Sequence, residues 1–449
     1  MIRPKKIIVI GGNAAGPSAA AKAKRVNPEA DIILFEQGDF ISTGTCEIPY
    51  VLGGDIKCYK EVVFFTPEEF ESEKHVKVLV RHRVESINRR QKEIIVRDIV
   101  NNSTSTYSYD SLILATGAKS KKLSQLSSEL KNVFYLKSIA DLIKVKSYLK
   151  TNKISSAAII GSGYIGIEAA EALSKWGCQL TIIEREQLPL PFAEPEVKYL
   201  VRELFKEHGI SFYPGVETLK TVIKEDKLKE IVVEGRSLEF DLVLVSIGFQ
   251  PENTLAIASG LELGKSGALK VDRKLHTSDS SIFAAGDNIE VINAITNKPE
   301  YMPFAPIAHN SGHIAGANAA GGNSYADPVV KNSALKIFDN VYVSVGLTFS
   351  EAKAHGFNCM EVHAVSPNLV KVMPGSKNVF GKIVYEKGTL KILGASFFGG
   401  NEVSGYGDLI SALIISRTAA SILEKISYNY TPPVSPFINL LSVLGHKIR

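Results

Sequence analysis

The segment Ser42-Thr43-Gly44-Thr45-Cys46-Glu47-Ile48-Pro49-Tyr50 carries the residue best suited to covalent chemistry in this chain, Cys46. A thiolate attacks disulfides and sulfane sulfur and exchanges electrons with a neighbouring redox group. Pro49 suits the first turn of a helix. A helix starting just after Cys46 would favour the thiolate through its positive end, whereas Glu47 would either oppose it by like-charge repulsion or reshape the pocket. Cys58, Cys178 and Cys359 have no such context and read as structural. Position 51 is Val51, and no two of the four cysteines stand in CxxC or CxxxxC spacing. Neither a zinc site nor a disulfide framework is expected, and the usage fits a reducing compartment.

A thiol of this kind needs a redox partner, and the flanking elements supply room for one. Ile7-Ile8-Val9-Ile10 is a short apolar run, as in a strand buried on both faces. Gly11, Gly12 and Gly16 follow, then a small-residue helix, then the run Ile32 to Phe35 ending at Glu36. The pattern returns near 157: a strand, then Gly161, Gly163, Tyr164, Ile165 and Gly166, then a helix through Glu168, then Leu180 to Ile183 ending at Glu184. Gly177 reads as the cap of that helix. Gly161, Gly163 and Gly166 satisfy GxGxxG, whose glycines allow a tight turn and close approach of backbone to a pyrophosphate at a helix N-terminus. Glu184 would accept from adenosine ribose hydroxyls, which favours NADH; Arg185 leaves NADPH open. In the first loop Asn13 replaces the middle glycine, and asparagine tolerates left-handed backbone.

The repeat distance, 161 − 11 = 150 residues, gives each loop its own domain. Strand-like runs at 334–338, 341–346, 379–385 and 390–398, then a helix around 409–424, suggest a third, α+β domain. The expected class is α/β: two Rossmann-like dinucleotide-binding domains, one formed by 1–115 with 280–330 and one by 116–279, then a C-terminal α+β dimerisation domain over 331–449. The apolar tail (Phe437, Leu440, Leu441, Val443, Leu444) is expected to dock on another surface, often that of a partner subunit.

Composition closes off other classes. The chain has 449 residues, enough for several cores, with 45% hydrophobic residues but no apolar run long enough for a membrane span. The start, MIRPKKIIVIGG, lacks the longer apolar core of a secretory signal. A net charge of +5 without a Lys/Arg run points away from nucleic acid and suits an anionic small molecule. A cytoplasmic protein is expected.

Ile113-Leu114-Ala115-Thr116-Gly117 and Ile282-Phe283-Ala284-Ala285-Gly286-Asp287 are strands ending in small-residue turns. With the two glycine loops they resemble the ATG and GD signatures of the two-dinucleotide-binding flavoproteins. The Cys46 segment resembles the SxxxCxxPY motif of the single-cysteine branch of pyridine nucleotide-disulfide oxidoreductases. It is most similar to coenzyme A disulfide reductases and persulfide reductases, and the resemblance extends over essentially the whole chain, through VSVGLT at 343–348 and YTPP at 430–433. The resemblance implies tightly bound FAD, held by Gly11, Asn13, Ala14, Gly16, Glu36, Thr116, Gly117, Gly286 and Asp287. NADH or NADPH falls to Gly161, Gly163, Tyr164, Ile165, Gly166, Glu168, Glu184, Arg185 and Gly248, with Tyr164 shielding the flavin. It further implies a homodimer with a shared active site, in which Tyr430 of one subunit serves Cys46 of the other. Coenzyme A contacts carry over to Ser18, Lys22, Arg25, Ser42, Thr45 and Lys74.

Relatives that are NADH peroxidases or oxidases carry a histidine inside the first glycine loop where this chain has Ala14, which disfavours peroxide chemistry. Glu47 stands where the family favours Gly or Ala, Val372-Met373 where it has a paired tyrosine, and Ile438 where it has a lysine. The implied activity is reduction of coenzyme A disulfide by NAD(P)H through a Cys46 mixed disulfide, with coenzyme A persulfide or polysulfide as second substrate. The alternatives are an oxygen-reducing NADH oxidase and a flavin reductase serving a small redox protein.

Overall fold

A computed structural model describes residues 3–449. Two parallel sheets of five strands share one design. In the first, spatial order runs Ile282–Ala284, Ser111–Leu114, Lys6–Ile10, Asp31–Phe35, Lys77–Leu79. In the second it runs Val133–Tyr135, Leu242–Val245, Ser156–Ile160, Gln179–Ile183, Ser211–Tyr213. Strands buried on both faces need continuous apolar runs, and the central strands KIIVI and SAAII supply them. Each central strand feeds a glycine loop, a helix (Ala15–Val26; Tyr164–Ser174) and a parallel partner strand.

An antiparallel pair, Ala118–Ser120 with Phe249–Pro251, carries the chain out to the second unit and back. After the return, Ala256, Leu261, Leu269 and Leu275 pack in the core of the first sheet. The region 254–279, assigned to the second unit from sequence, therefore lies against the first. Crossing back at Phe249–Pro251 is a pairing between distant segments that no local pattern encodes.

The third unit is a five-stranded antiparallel sheet, ordered Asn332–Ile337, Asn340–Gly346, Ile392–Gly399, Asn378–Glu386, Cys359–Pro367. The edge strand Cys359–Pro367 was not anticipated, because only Cys359 and Ala364 of it are buried. The helix expected over 409–424 runs instead from Glu402 to Ile415 and stops where Arg417 turns left-handed (φ 54°). A separate short helix follows at Ile422–Lys425. The apolar tail divides. Leu440, Leu441 and Leu444 sit in the helix Leu440–Lys447 and pack into their own unit's core, while Val434, Phe437 and Ile438 stay exposed. Part of the tail thus docks on its own sheet.

Among the described residues no helix is long and apolar enough to cross a membrane.

Candidate active site

Cys46 lies in the loop between the short strand Ile41–Thr43 and the helix Ile48–Gly53, and it is exposed. Pro49 occupies the first turn of that helix. Two sets of contacts position the loop. On one side Ser42, left-handed at φ 50°, donates its N–H to Gly12 O at 2.7 Å. Asn13 Oδ1 accepts from Thr43 N at 2.8 Å, and Asn13 Nδ2 donates to Thr43 Oγ1 at 2.8 Å. On the other side the cysteine helix packs on the second glycine-loop helix: Ile48, Val51 and Leu52 share a core with Ile167, Ala169, Ala170 and Leu173. Cys46 is therefore strapped to the first loop and braced against the second.

Asn13 has a different role from the one expected. It does not adopt left-handed backbone; Ala14 does (φ 32°). Asn13 stands at the middle position because its amide binds Thr43, a contact between residues 30 apart.

The thiol is pushed above its ordinary value. The residue is exposed, yet the protein crowded around the sulfur strips it of part of its water, and this desolvation leads; Glu47 and Glu168 add repulsion, the Lys137 ammonium opposes them and Asp287 adds a further push. The helix end expected to favour the thiolate is outweighed. Glu47 folds back over Gly44, where a Cβ would lie 2.4 Å from its Oε2. Glu168 is itself raised to about 7, by burial first and then by Glu171. Lys137 lies 3.9 Å from Asp287 Oδ2 and over the Phe249 ring at 4.4 Å. Neither cation nor contact was anticipated: Lys137 follows an ordinary strand end, with no motif around it. The fold thus gathers Cys46, Glu47, Glu168, Asp287 and Lys137, residues from both parallel sheets and their loops.

The two loops share a cradle. A Cβ on Gly16 would fall 1.8 Å from Gly11 O, and one on Gly166 would fall 2.1 Å from Gly161 O. Gly163, by contrast, faces open space, as do Gly117 and Gly248. The terminal acids reach back to equivalent positions. Glu36 Oε2 accepts from Gly12 N at 2.7 Å, and Glu184 Oε2 accepts from Ser162 N and Oγ, both at 2.7 Å. Burial raises the Glu36 carboxyl against three backbone hydrogen bonds. Arg185 points to solvent and pairs with Glu186.

Near the Gly286-Asp287 turn, Asn288 Oδ1 and the Tyr301 hydroxyl are buried without a hydrogen-bond partner. Buried polar atoms are normally paired. Thr116 Oγ1, which donates to Glu252 O and accepts from Asn288, stitches the turn after Leu114 to this region. The open space beside Gly117, Gly163 and Gly248 and the orphaned polar atoms near Asp287 fit dinucleotides, one with a polyhydroxylated arm.

Tyr164, at the start of its helix, bonds Ser333 Oγ at 2.9 Å and meets the Tyr342 ring edge-on. Tyr430 is 48% exposed on the third unit, edge-on to Phe437. Lys22 is half-buried and Arg25 exposed on one helix face. Arg25 and Lys74 line a groove of about 540 Å³ with Lys24, His75 and Glu73. Ser18 is not brought to that surface: it is 7% exposed, its hydroxyl directed at the carbonyls of Ala15 and His309.

Residues 5–312 match the family described as pyridine nucleotide-disulphide oxidoreductase, and residues 333–434 match its dimerisation domain. The chain is 29% identical over 431 residues to a Methanocaldococcus jannaschii protein named NADH oxidase, covering 96% of this chain and 95% of the relative. It is 28% identical over 446 residues to the NAD(P)H coenzyme A polysulfide/persulfide reductase of Pyrococcus horikoshii, covering 99% and 98%. The crystal structure of reduced Bacillus anthracis CoADR-RHD superposes with a TM-score of 0.94 at 29% identity, covering 99% of this chain and 80% of that one.

Proposed function

The chain belongs to the pyridine nucleotide-disulphide oxidoreductase family, and on that premise we propose that it reduces coenzyme A disulfide with NAD(P)H through a single redox-active thiol, Cys46. The observation that carries this reading is the position of Cys46, bound through Ser42 and Thr43 to the first glycine loop and packed through its helix on the second. The family uses FAD, which supplies two-electron exchange between nicotinamide and sulfur. Gly11, Gly16, Glu36, Gly286 and Asp287 would hold it, with Asn288 and Tyr301 offering further polar atoms.

The chain's own residues do the rest. Gly161, Gly163 and Gly166 admit the nicotinamide dinucleotide, and Glu184 receives its ribose. Cys46 attacks one sulfur of the disulfide, forming a mixed disulfide and releasing one thiolate. Two electrons from the nicotinamide then cleave the mixed disulfide, returning the Cys46 thiolate and releasing the second thiolate. The balance is RSSR + NADH + H⁺ giving 2 RSH + NAD⁺. With its thiol raised by desolvation first and then by Glu47 and Glu168, Cys46 depends on Lys137 as the opposing charge. Lys22, Arg25 and Lys74 form a basic face suited to the phosphates of coenzyme A.

The name of the Pyrococcus horikoshii relative supports coenzyme A persulfide or polysulfide as the second substrate. The Methanocaldococcus jannaschii relative is the observation favouring oxygen as acceptor. Anaerobic titration with NADH, followed by coenzyme A disulfide, separates these. Reoxidation of the flavin with release of two equivalents of free thiol, abolished at least 100-fold in Cys46→Ser, is the expected result. Bleaching that only oxygen reverses, equally in the variant, would overturn it.

A further inference from the structure

Glu47 follows Cys46 directly and stands at the N-cap of the helix Ile48–Gly53, yet its side chain caps no backbone N–H. It folds back over Gly44 instead. A Cβ on Gly44 would lie 2.8 Å from Glu47 Cδ and 3.0 Å from Phe64 Cζ. Gly44 is fixed in place: it ends the pairing of Ile41–Thr43 with Val63–Phe65 and donates its N–H to Val62 O at 2.8 Å. The missing side chain at position 44 therefore makes the room that the Glu47 carboxylate fills. Glu47 is half-buried, and Phe64 and Cys46 are exposed. Acid and ring thus stand at the surface on the loop that carries the thiol.

The charges bearing on the sulfur are Glu47, Glu168 and Asp287, opposed by the Lys137 ammonium. Lys137 is itself drawn to Asp287, 3.9 Å away. An acceptor approaching Cys46 therefore meets a negative field, and Glu47 is its contribution from the nucleophile's own loop.

We propose that Glu47 determines which acceptors Cys46 takes: its charge beside the thiol leaves uncharged sulfur–sulfur bonds open to attack and turns away acceptors whose reacting sulfur is anionic, the persulfide and polysulfide ions. This rests on the reading that Cys46 is the redox-active thiol. It deepens that reading by ranking its two substrate classes.

A coenzyme A disulfide carries its charge on phosphates at the far ends of both arms, so the bond that Cys46 attacks is neutral. Persulfides and polysulfides ionise on the reacting sulfur chain itself and bring that charge against Glu47. Where water is partly excluded, like charges repel more strongly than in bulk solvent. A repulsive group set against the wrong ligand gives selectivity without any new contact to the right one. Where relatives favour Gly or Ala, the same loop lacks this charge.

Two alkylating reagents test this at the thiol. Holoenzyme is reduced with dithiothreitol, desalted anaerobically and treated with neutral iodoacetamide or anionic iodoacetate, and labelling of Cys46 is followed by peptide mass spectrometry. Both reagents consume the same thiolate, so the ratio of their rates reports the charge around it, wherever the thiol ionises. Wild type is expected to favour iodoacetamide, and Glu47→Gln to narrow that preference about three- to tenfold. Gly44→Ala should narrow it in part, because the new methyl drives the carboxylate off the loop. In turnover with NADH, the ratio of kcat/KM for inorganic polysulfide over coenzyme A disulfide should rise by a similar factor in Glu47→Gln. Glu47→Ala serves if Glu47→Gln is impaired. An alkylation ratio unchanged in these variants would overturn the proposal, and so would a narrowed ratio with no shift in acceptor preference. If coenzyme A disulfide is not reduced, that substrate reading falls by itself. The uncharged disulfide of 2-mercaptoethanol then takes its place in the comparison, and the same outcomes decide the role of Glu47.

Discussion

At Glu168 burial pushes the carboxyl from 4.5 up to about 7, with Glu171 adding to it. A carboxyl raised in the native state binds its proton more tightly folded than unfolded. The stability tied to that proton is present below pH 4.5 and is lost as pH climbs toward 7. Glu168→Gln removes the titration. The variant should match wild type near pH 5 and exceed it by about 1–3 kcal/mol at pH 8, in urea unfolding of the holoenzyme without pyridine nucleotide. Equal midpoints at pH 8 would mean that the charge is solvated in place. The same carboxylate, after desolvation and Glu47, also raises Cys46. Such a disposition favours a protonated thiol.

Within the second glycine loop, three glycines of one motif serve different ends. Gly161 and Gly166 bring loop, strand and helix into contact: a Cβ on Gly161 would meet Ser246 O at 2.7 Å, and one on Gly166 would meet Gly161 O at 2.1 Å. Gly163 touches nothing within 4 Å. Gly166→Ala should therefore destabilise by about 1–3 kcal/mol through overpacking, read as a lower melting temperature. Gly163→Ala should leave the melting temperature nearly unchanged and raise KM for NADH about tenfold or more, because its methyl enters the space the dinucleotide approaches. A large loss of stability in Gly163→Ala would show that the open side of the loop is not a ligand side.

Across the molecule, the third unit is joined to the second by buried polar contacts as well as apolar ones. Lys382, its side chain 3% exposed, lies 3.2 Å from Glu194, 3.0 Å from Glu196 and 2.8 Å from Glu361. Glu194 also accepts from Phe349 N at 2.7 Å. In register with Lys382, Ser396, Ser344 and Ser333 form a row across the sheet that ends at the Tyr164 hydroxyl. Burial lowers the Lys382 ammonium, but the three carboxylates outweigh it and hold it charged. Removing one partner of a buried pair leaves the others uncompensated. Lys382→Met should cost about 3–5 kcal/mol in denaturant unfolding at pH 7. A loss under 1 kcal/mol would show that the carboxylates relax to solvent.

Much of this architecture is legible in residue type and spacing alone. The glycine loops, their strands and helices and the acids that close them are local patterns, because helix and strand periodicity and glycine's backbone freedom act over a few residues. The sequence by itself thus determined two dinucleotide-binding folds, a third α+β unit and a lone thiol with a proline-started helix beside it. It missed the edge strand Cys359–Pro367, whose side chains are mostly solvated, and it ran the 409–424 helix through a break at Arg417. Tertiary structure alone decided the contacts between distant residues. Asn13 holds Thr43, the cysteine helix leans on the second loop's helix, and Lys137 meets Asp287. No local periodicity carries such pairings: they arise when buried surfaces find the one packing that fills space and satisfies their polar atoms.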